Sequence, residues 1–153
     1  MYQIPVRPAD ANDRSNAIIL SIGAKWAAPI RSGSLTWFIR KRVPLVTKPT
    51  FVYFHMTAPI SAIIARGIVK SIEQVPSAFA VEHSQELQMT KHDICSYLGD
   101  ASTIGLFQFE LTELASRAAT LADLRKELEY FPPQSYSSVS RDALSVIDKV
   151  CGF

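Results

Sequence analysis

Short runs of β-branched and aromatic residues, separated by turn-forming residues, are the feature that most limits the folds open to this chain. Each run has the length and composition of a β-strand and is far too short to span a bilayer as a helix. The runs cover residues 17–22, 35–42, 50–56, 62–72 and 103–112. We therefore expect about five or six strands, with Pro59 in the break between the third run and the fourth.

Helical patterns occupy the intervals between these runs and the C-terminal part of the chain. They cover about 23–33, 77–87, 90–98, 120–131 and 140–150. Gly33 is expected to close the first helix, because glycine readily adopts the left-handed conformation of a helix C-cap. Thr90, Thr120 and Ser140 are expected to be N-caps. The pattern predicts an α+β fold in which a small, curved, mostly antiparallel sheet carries short helices at its rim.

The length and the cysteine content are typical of one intracellular domain. A chain of 153 residues can bury a substantial core. We expect a single domain over residues 17–153, preceded by an N-terminal arm of residues 1–16 that is rich in loop-forming residues. Cys95 and Cys151 show no spacing of a disulfide framework, and no secretory signal is predicted. The protein is therefore expected to be cytoplasmic.

Charge is distributed very unevenly along the chain. No Asp or Glu occurs between Arg14 and Ile72, where there are nine cations, whereas twelve acids and six bases follow from Glu73 onward. The nine cations are Arg14, Lys25, Arg31, Arg40, Lys41, Arg42, Lys48, Arg66 and Lys70. Clustered Lys and Arg attract polyanions and release their counterions, so the asymmetry favours a nucleic-acid-binding face. The alternative is a solvated surface on which the cations pair with the C-terminal acids.

No sequence motif indicates a cofactor, a metal or a known catalytic apparatus. The chain lacks GxSxG, P-loop and GxGxxG patterns, so we expect no cofactor. His92 and Cys95 are three residues apart on a predicted helix, but a zinc site needs three or four ligands, and we expect no metal. His55 lies in an apolar run, where a hydrogen-bonded interior imidazole is more common than a catalytic one.

The segment from Leu35 to Arg42 combines aromatic residues with unbalanced positive charge. On a strand, Thr36, Phe38, Arg40 and Arg42 would share one face, and Leu35, Trp37, Ile39 and Lys41 the other. The second set is the more apolar and is expected to face the core. Phe38 would then lie exposed between two guanidinium groups, an arrangement that stacks a base and holds its phosphates. The alternative is that Phe38 packs in the interior.

Several segments resemble the activating signal cointegrator homology (ASCH) domains of the PUA-like superfamily of RNA-binding pseudobarrels. The stretch "LSIGAKWAAPIRSGSLTWFIR" is similar to the family's first strand, helix and second strand, and "YFPPQSY" is similar to a segment of many bacterial members. The resemblance spans residues 17–136 and implies a PUA-like pseudobarrel, a small curved β-sheet barrel. Its core should join Ile19, Ile22, Val52, Phe54, Ile64, Ile68, Phe107 and Phe109.

The chain departs from the family at two charged positions. The family pattern G-x-K-x-x-E-x-R corresponds to Gly33 through Arg40, with Leu35 in place of the lysine and Phe38 in place of the glutamate. Some family members hydrolyse acetylated cytidine, and others cut single-stranded RNA, with sets of residues that include lysine. Leucine cannot supply the charge that such a lysine brings to a reacting centre. The enzyme assignment is therefore left open and leans towards no activity.

The sequence thus favours a regulatory, catalytically inactive domain that binds RNA or another nucleic acid. The expected contact residues are Lys25, Arg31, Phe38, Arg40, Arg42, Lys48, Arg66, Ser135 and Tyr136. One alternative is a hydrolase of RNA or modified nucleosides that uses Thr36, His55 and Ser135. A second is a protein-interaction module with an apolar patch of Trp26, Trp37, Phe38 and Tyr53. No membrane partner is expected, and the oligomeric state is not predicted.

Overall fold

The structure, a computed structural model, describes residues 17–42, 51–134 and 136–153, without the side chains of Thr112 and Tyr136. The expected N-terminal arm and two of the expected contact residues, Lys48 and Ser135, lie outside the described residues.

A single curved sheet organises the described part of the chain. Its strands are β1 (Ala17–Ile22), β2 (Trp37–Arg40), β3 (Phe51–Met56), β4 (Ala62–Pro76), β5 (Thr103–Thr120) and β6 (Tyr136–Val139). Their order across the sheet is β2-β5-β4-β3-β1-β6, and only β1 and β3 pair in parallel. The predicted curved, mostly antiparallel sheet is confirmed. The sheet does not close into a barrel, because its outermost described strands, β2 and β6, do not pair with each other.

Strands β4 and β5 form a two-stranded ribbon, and both strands extend beyond the runs from which they were predicted. Their pairing extends from Ala62 opposite Thr120 to Pro76 opposite Thr103, with three shifts of register. One shift lies next to Gly67, where a Cβ atom would come within 2.5 Å of the carbonyl oxygen of Glu110. Glycine is thus needed at this close approach of the two backbones, and the irregular register helps the ribbon to bend.

In the described ranges, six helices and one 3-10 turn surround the sheet. They are the turn Ala24–Trp26 and the helices α1 (Ala27–Ser32), α2 (Ser77–Glu82), α3 (Ser84–Leu87), α4 (Lys91–Leu98), α5 (Leu121–Glu127) and α6 (Arg141–Cys151). Gly33 closes α1 in the left-handed conformation, with φ of 74°. The hydroxyl groups of Thr90, Thr120 and Ser140 accept the predicted capping hydrogen bonds at α4, α5 and α6. The helix predicted over 77–87 is divided in two at His83.

The buried apolar residues that the structure describes form three clusters rather than the one core that was expected. The inner face of the curved sheet carries Ile22, Val52, Phe54, Ile64, Phe107 and Phe109. Ile19 instead packs on the other face, against helices α5 and α6, because alternate residues of β1 point to opposite faces. Ile68 is 38% exposed and lies outside the core. The third cluster joins Ile39 on β2 to α2, α3 and α4.

None of the helices in the described ranges is long and apolar enough to cross a membrane.

Candidate nucleic-acid interface

A pocket of about 170 Å³ opens where the edge strand β2 meets the 3-10 turn and helices α3 and α4. Its floor is made of buried apolar side chains, which are Ile22, Leu35, Phe38, Ile39 and Leu87. Its rim is made of half-buried side chains, which are Trp26, Trp37, Arg40, Met89 and Tyr97. The rim contains both tryptophans of the chain. The pocket therefore offers an apolar interior behind an opening that is aromatic and carries one guanidinium group.

Arg40 is held firmly at this opening. One terminal nitrogen of its guanidinium donates to the carbonyl oxygen of Ile39 at 2.8 Å, and the other donates to that of Ser21 at 2.6 Å. The guanidinium carbon lies 5.3 Å from the centroid of the Phe38 ring. Burial lowers the pKa of Arg40, and its interaction with Tyr97 partly offsets that effect. Because arginine still remains protonated in proteins, the pocket carries a fixed positive charge.

Further cations lie beside the aromatic rim. The Lys25 ammonium lies 5.0 Å from the ring centroid of Trp26, and the Lys41 ammonium lies 5.5 Å from that of Tyr97. Arg31 and Arg42 are exposed on the neighbouring segments. Within residues 17–42, 51–134 and 136–153, no Asp or Glu forms an ion pair with any cation from Lys25 to Arg42. Their charge is therefore available to an external anion.

The other cations of the basic half of the chain have acidic partners. Arg66 binds Glu113 at 2.6 Å and Asp148 at 3.3 Å, and its guanidinium also lies over the Phe153 ring. Lys70 pairs with Glu110 at 2.8 Å. The two expectations for the basic half, a polyanion-binding face and pairing with C-terminal acids, thus each describe part of it. Arg66, an expected nucleic-acid contact, is engaged in packing α6 against the sheet.

The prediction that the Phe38 side chain is exposed is wrong. Its side chain is only 8% exposed and packs against the rings of Phe107 and Phe109, at centroid distances of 4.8 and 5.1 Å. Alternation did place Phe38 and Arg40 on one face of β2, as the sequence predicted. Both faces of β2 are covered, however, since the inner face of the sheet receives Phe38 and the cluster of α2, α3 and α4 receives Ile39.

The prediction that Trp26, Trp37, Phe38 and Tyr53 form one apolar surface patch is also wrong. Tyr53 is 1% exposed, and its hydroxyl donates to Asp148 Oδ1 on α6 at 2.6 Å. Trp26 and Trp37 are the half-exposed members of the expected set, and they line the pocket. Successive residues of β3 alternate between the two covered faces of the sheet, so Tyr53 cannot reach the surface that Trp26 and Trp37 share.

The hydrolase alternative receives no support from the described side chains. Thr36 is exposed, whereas His55 is 2% exposed and its Nδ1 lies 3.2 Å from the hydroxyl of Tyr130. Burial lowers the pKa of His55 to about 4, so its imidazole is neutral at neutral pH. The structure shows no hydrogen bond between Thr36 and His55, and Ser135 lies outside the described residues. Tyr136 is described only by its backbone, which pairs with Leu20.

Two features of this region have no local signal in the sequence. Met89, between α3 and α4, and Tyr97, on α4, reach the pocket from about 50 residues after β2, so no pattern around Arg40 could reveal them. Ser21 donates to the carbonyl oxygen of Pro133 at 2.6 Å, which fixes the segment that follows α5 across the end of β1. In the ranges that the structure describes, no three His, Cys, Asp or Glu side chains are grouped so that they could hold a metal ion.

The architecture is that of an ASCH domain. The structure of an ASCH protein from Zymomonas mobilis is similar to it with a TM-score of 0.80, covering 90% of this chain and 96% of that one at 19% sequence identity. A serine-to-alanine variant of the same protein gives a TM-score of 0.81, at 17% identity over 90% of this chain and 97% of that one. The fold predicted from the resemblance to ASCH domains is thereby confirmed.

The fold also has more distant relatives among solved structures. The N-terminal domain of McrB from Staphylothermus marinus is similar with a TM-score of 0.58 and 9% identity, covering 97% of this chain and 98% of that one. No protein-family model matches the sequence, and no curated protein matches it. At these identities the likeness establishes the fold, and the function has to be argued from the site.

Proposed function

We propose that this protein binds single-stranded nucleic acid, with RNA as the leading candidate, at the pocket and the cations beside it. The observation that carries the proposal is the position of Lys25, Arg40 and Lys41. Arg40 belongs to the rim of the pocket, Lys25 and Lys41 lie over its aromatic rings, and none of the three forms an ion pair with an acid of the described chain. Cations beside aromatic side chains are the arrangement with which proteins follow a phosphate backbone and stack an unpaired base.

The chemistry of the pocket floor favours binding over catalysis. Leu35 and Phe38 occupy the positions where the resemblance places a lysine and a glutamate, and both side chains are buried in the floor. All five floor residues are apolar, so the floor supplies neither a general base nor a nucleophile. We infer that the protein recognises its ligand in a regulatory role, without hydrolysing it.

Fluorescence anisotropy with labelled 12-nucleotide strands tests the proposal. Single-stranded RNA, single-stranded DNA and an RNA duplex are titrated with the protein over a series of salt concentrations. Single strands should bind more tightly than the duplex, and log K should fall linearly with log salt, by about 0.7 for each phosphate contact. Comparison of the RNA and DNA strands decides which sugar is preferred. Salt-independent affinity, or no binding to any strand, would refute the proposal.

A further inference from the structure

The pocket is unusual in the hydrogen-bonding groups that it presents. Its lining contains three side chains that only donate, which are Arg40 and the indole groups of Trp26 and Trp37. The only side-chain oxygen among the described lining residues is the Tyr97 hydroxyl, which is already directed at Arg40. The lining contributed by the described residues contains no carboxylate, amide or imidazole side chain. A ligand that fits must therefore bring acceptors of its own.

Arg40 is placed to meet two such acceptors at once. A guanidinium group has five N–H donors, of which the carbonyl oxygens of Ile39 and Ser21 take two and the Tyr97 hydroxyl engages one more, so two remain for a ligand. These bonds and the contact with the Phe38 ring fix the plane of the group before any ligand binds. A pre-oriented guanidinium recognises a pair of neighbouring acceptors through two parallel hydrogen bonds.

The size of the pocket sets the size of the ligand. Sites for drug-sized molecules enclose about 300–1,000 Å³, whereas this pocket encloses about 170 Å³. It has room for a single ring system, and the sugar and phosphate would remain outside. Lys25 and Lys41 lie beside the rim, where they would face the phosphates that flank an inserted base.

We propose that the pocket binds one unpaired base and selects a keto purine, guanine or hypoxanthine, over adenine. This inference rests on the proposed function and adds a base preference to it. The O6 and N7 atoms of a keto purine are two adjacent acceptors, which match the donors of Arg40. Adenine presents an amino group in place of O6, so that a donor would face donors and remain unpaired in a largely apolar pocket.

Strands with a single base isolate this preference. The strands are 12-mers of stable abasic spacers on whichever backbone, RNA or DNA, binds more tightly, with one central hypoxanthine, one central adenine or no base. Hypoxanthine and adenine have the same ring system and differ in the group at position 6 and in the proton that hypoxanthine carries on N1. Both tryptophans of the chain line the pocket, so intrinsic tryptophan fluorescence reports its occupancy.

The expected result is at least about tenfold tighter binding of the hypoxanthine strand than of the adenine strand, with a change in tryptophan fluorescence. Equal affinity for these two strands, or tighter binding of adenine, would overturn the base preference while leaving the proposed function intact. Equal affinity for all three strands would show that no base enters the pocket. Absence of binding to every strand, including ordinary oligonucleotides, would instead overturn the proposed function together with the inference.

Arg40→Lys assigns the preference to the guanidinium group. Lysine keeps the charge but lacks the planar pair of donors. The preference for hypoxanthine should fall to less than about twofold, and the affinity for the hypoxanthine strand should fall with it. Lys70→Gln is the matched control, because Lys70 is paired with Glu110 away from the pocket and its loss should preserve the tenfold preference. If Arg40→Lys retained the full preference for hypoxanthine over adenine, the guanidinium group would not be what selects the base. The wild-type comparison decides the preference itself even if the variant fails to fold.

Discussion

The guanidinium of Arg40 lies over the ring of Phe38, with 5.3 Å between the guanidinium carbon and the ring centroid. Phe38 faces the core and Arg40 reaches the opening of the pocket, so one face of one short strand passes from the hydrophobic interior to the candidate binding site. This relationship separates two roles that the sequence had combined, since Phe38 stabilises the fold and Arg40 is available to a ligand.

Removal of an unpaired cation should weaken binding without affecting the fold. Lys41→Ala and Arg42→Ala should each lower the affinity for single-stranded RNA of any sequence. Each should also reduce the slope of log K against log salt by roughly 0.7 to 1, because one phosphate contact is lost. The slope is measured by fluorescence anisotropy over a salt series.

Paired cations provide the controls for that experiment. Lys149→Ala, on α6 and 3.8 Å from Glu127, should leave the slope unchanged. Arg66→Ala should also leave the slope unchanged but should lower the free energy of unfolding by about 1 to 2 kcal/mol, because its bonds to Glu113 and Asp148 are half-buried. If Arg66→Ala reduced the salt slope as much as Arg42→Ala does, the ion pairs with acidic residues would not decide which cations bind the nucleic acid.

Loss of the Phe38 ring should be felt mainly as a loss of stability. Phe38→Ala should lower the free energy of unfolding by about 3 to 5 kcal/mol, because it leaves a cavity beside Phe107 and Phe109. Urea denaturation measures the change. Phe131→Ala is the matched control, since this ring is 48% exposed and its removal should cost less than about 1 kcal/mol. If Phe38→Ala changed the free energy of unfolding little but greatly lowered the affinity for RNA, Phe38 would instead be a residue that stacks on a base.

His55 should make the stability of the protein depend on pH. Its pKa falls from 6.5 to about 4 on folding, because burial disfavours the imidazolium. The unfolded chain therefore binds the proton more readily, and the free energy of unfolding decreases as the pH falls from about 6.5 to about 4. The decrease should reach roughly 3 kcal/mol by about pH 4. Burial raises the pKa of both Tyr130 and Cys151, so neither titrates in this range.

Urea denaturation at several pH values measures this contribution of His55. His55→Gln removes the titrating group while keeping a polar side chain for the Tyr130 hydroxyl, and carboxylates elsewhere contribute equally to both proteins. The wild type should therefore lose about 3 kcal/mol more than the variant between about pH 7 and about pH 4. Identical pH profiles would show that His55 is protonated as easily in the folded state as in the unfolded one.

Acetylated cytidine should not be turned over. The floor of the pocket places Leu35 and Phe38 where the resemblance to ASCH proteins puts charged residues, and no side chain of the floor can act as a general base. Incubation with acetylcytidine, followed by chromatography, should give no more product than buffer alone. Turnover that is abolished by Thr36→Ala or His55→Ala would show that the protein is an enzyme and that its catalytic groups lie outside the pocket floor.

Much of the fold could be predicted because its signals are local. At Thr90, Thr120 and Ser140, the capping hydroxyl accepts a hydrogen bond from the backbone N–H three residues later. The end of α1 at Gly33 depends on the left-handed conformation of that residue alone. The strands follow from runs of β-branched and aromatic residues that favour extended backbone. The candidate site was predicted less well: Arg40 was placed at the site, but its aromatic neighbours Trp37 and Tyr97 were not expected there as pocket residues.

By itself the sequence determined where most of the helices and strands lie and which residues of a strand share a face, but not the full length of β5 or the existence of β6. Only the tertiary structure decided what covers each face and which cations keep their charge free. The physical reason is sequence separation. Arg66 meets Asp148 across 82 positions, and His55 meets Tyr130 across 75. Such contacts depend on how whole elements pack together, and a periodicity of two or four residues carries no information about that packing.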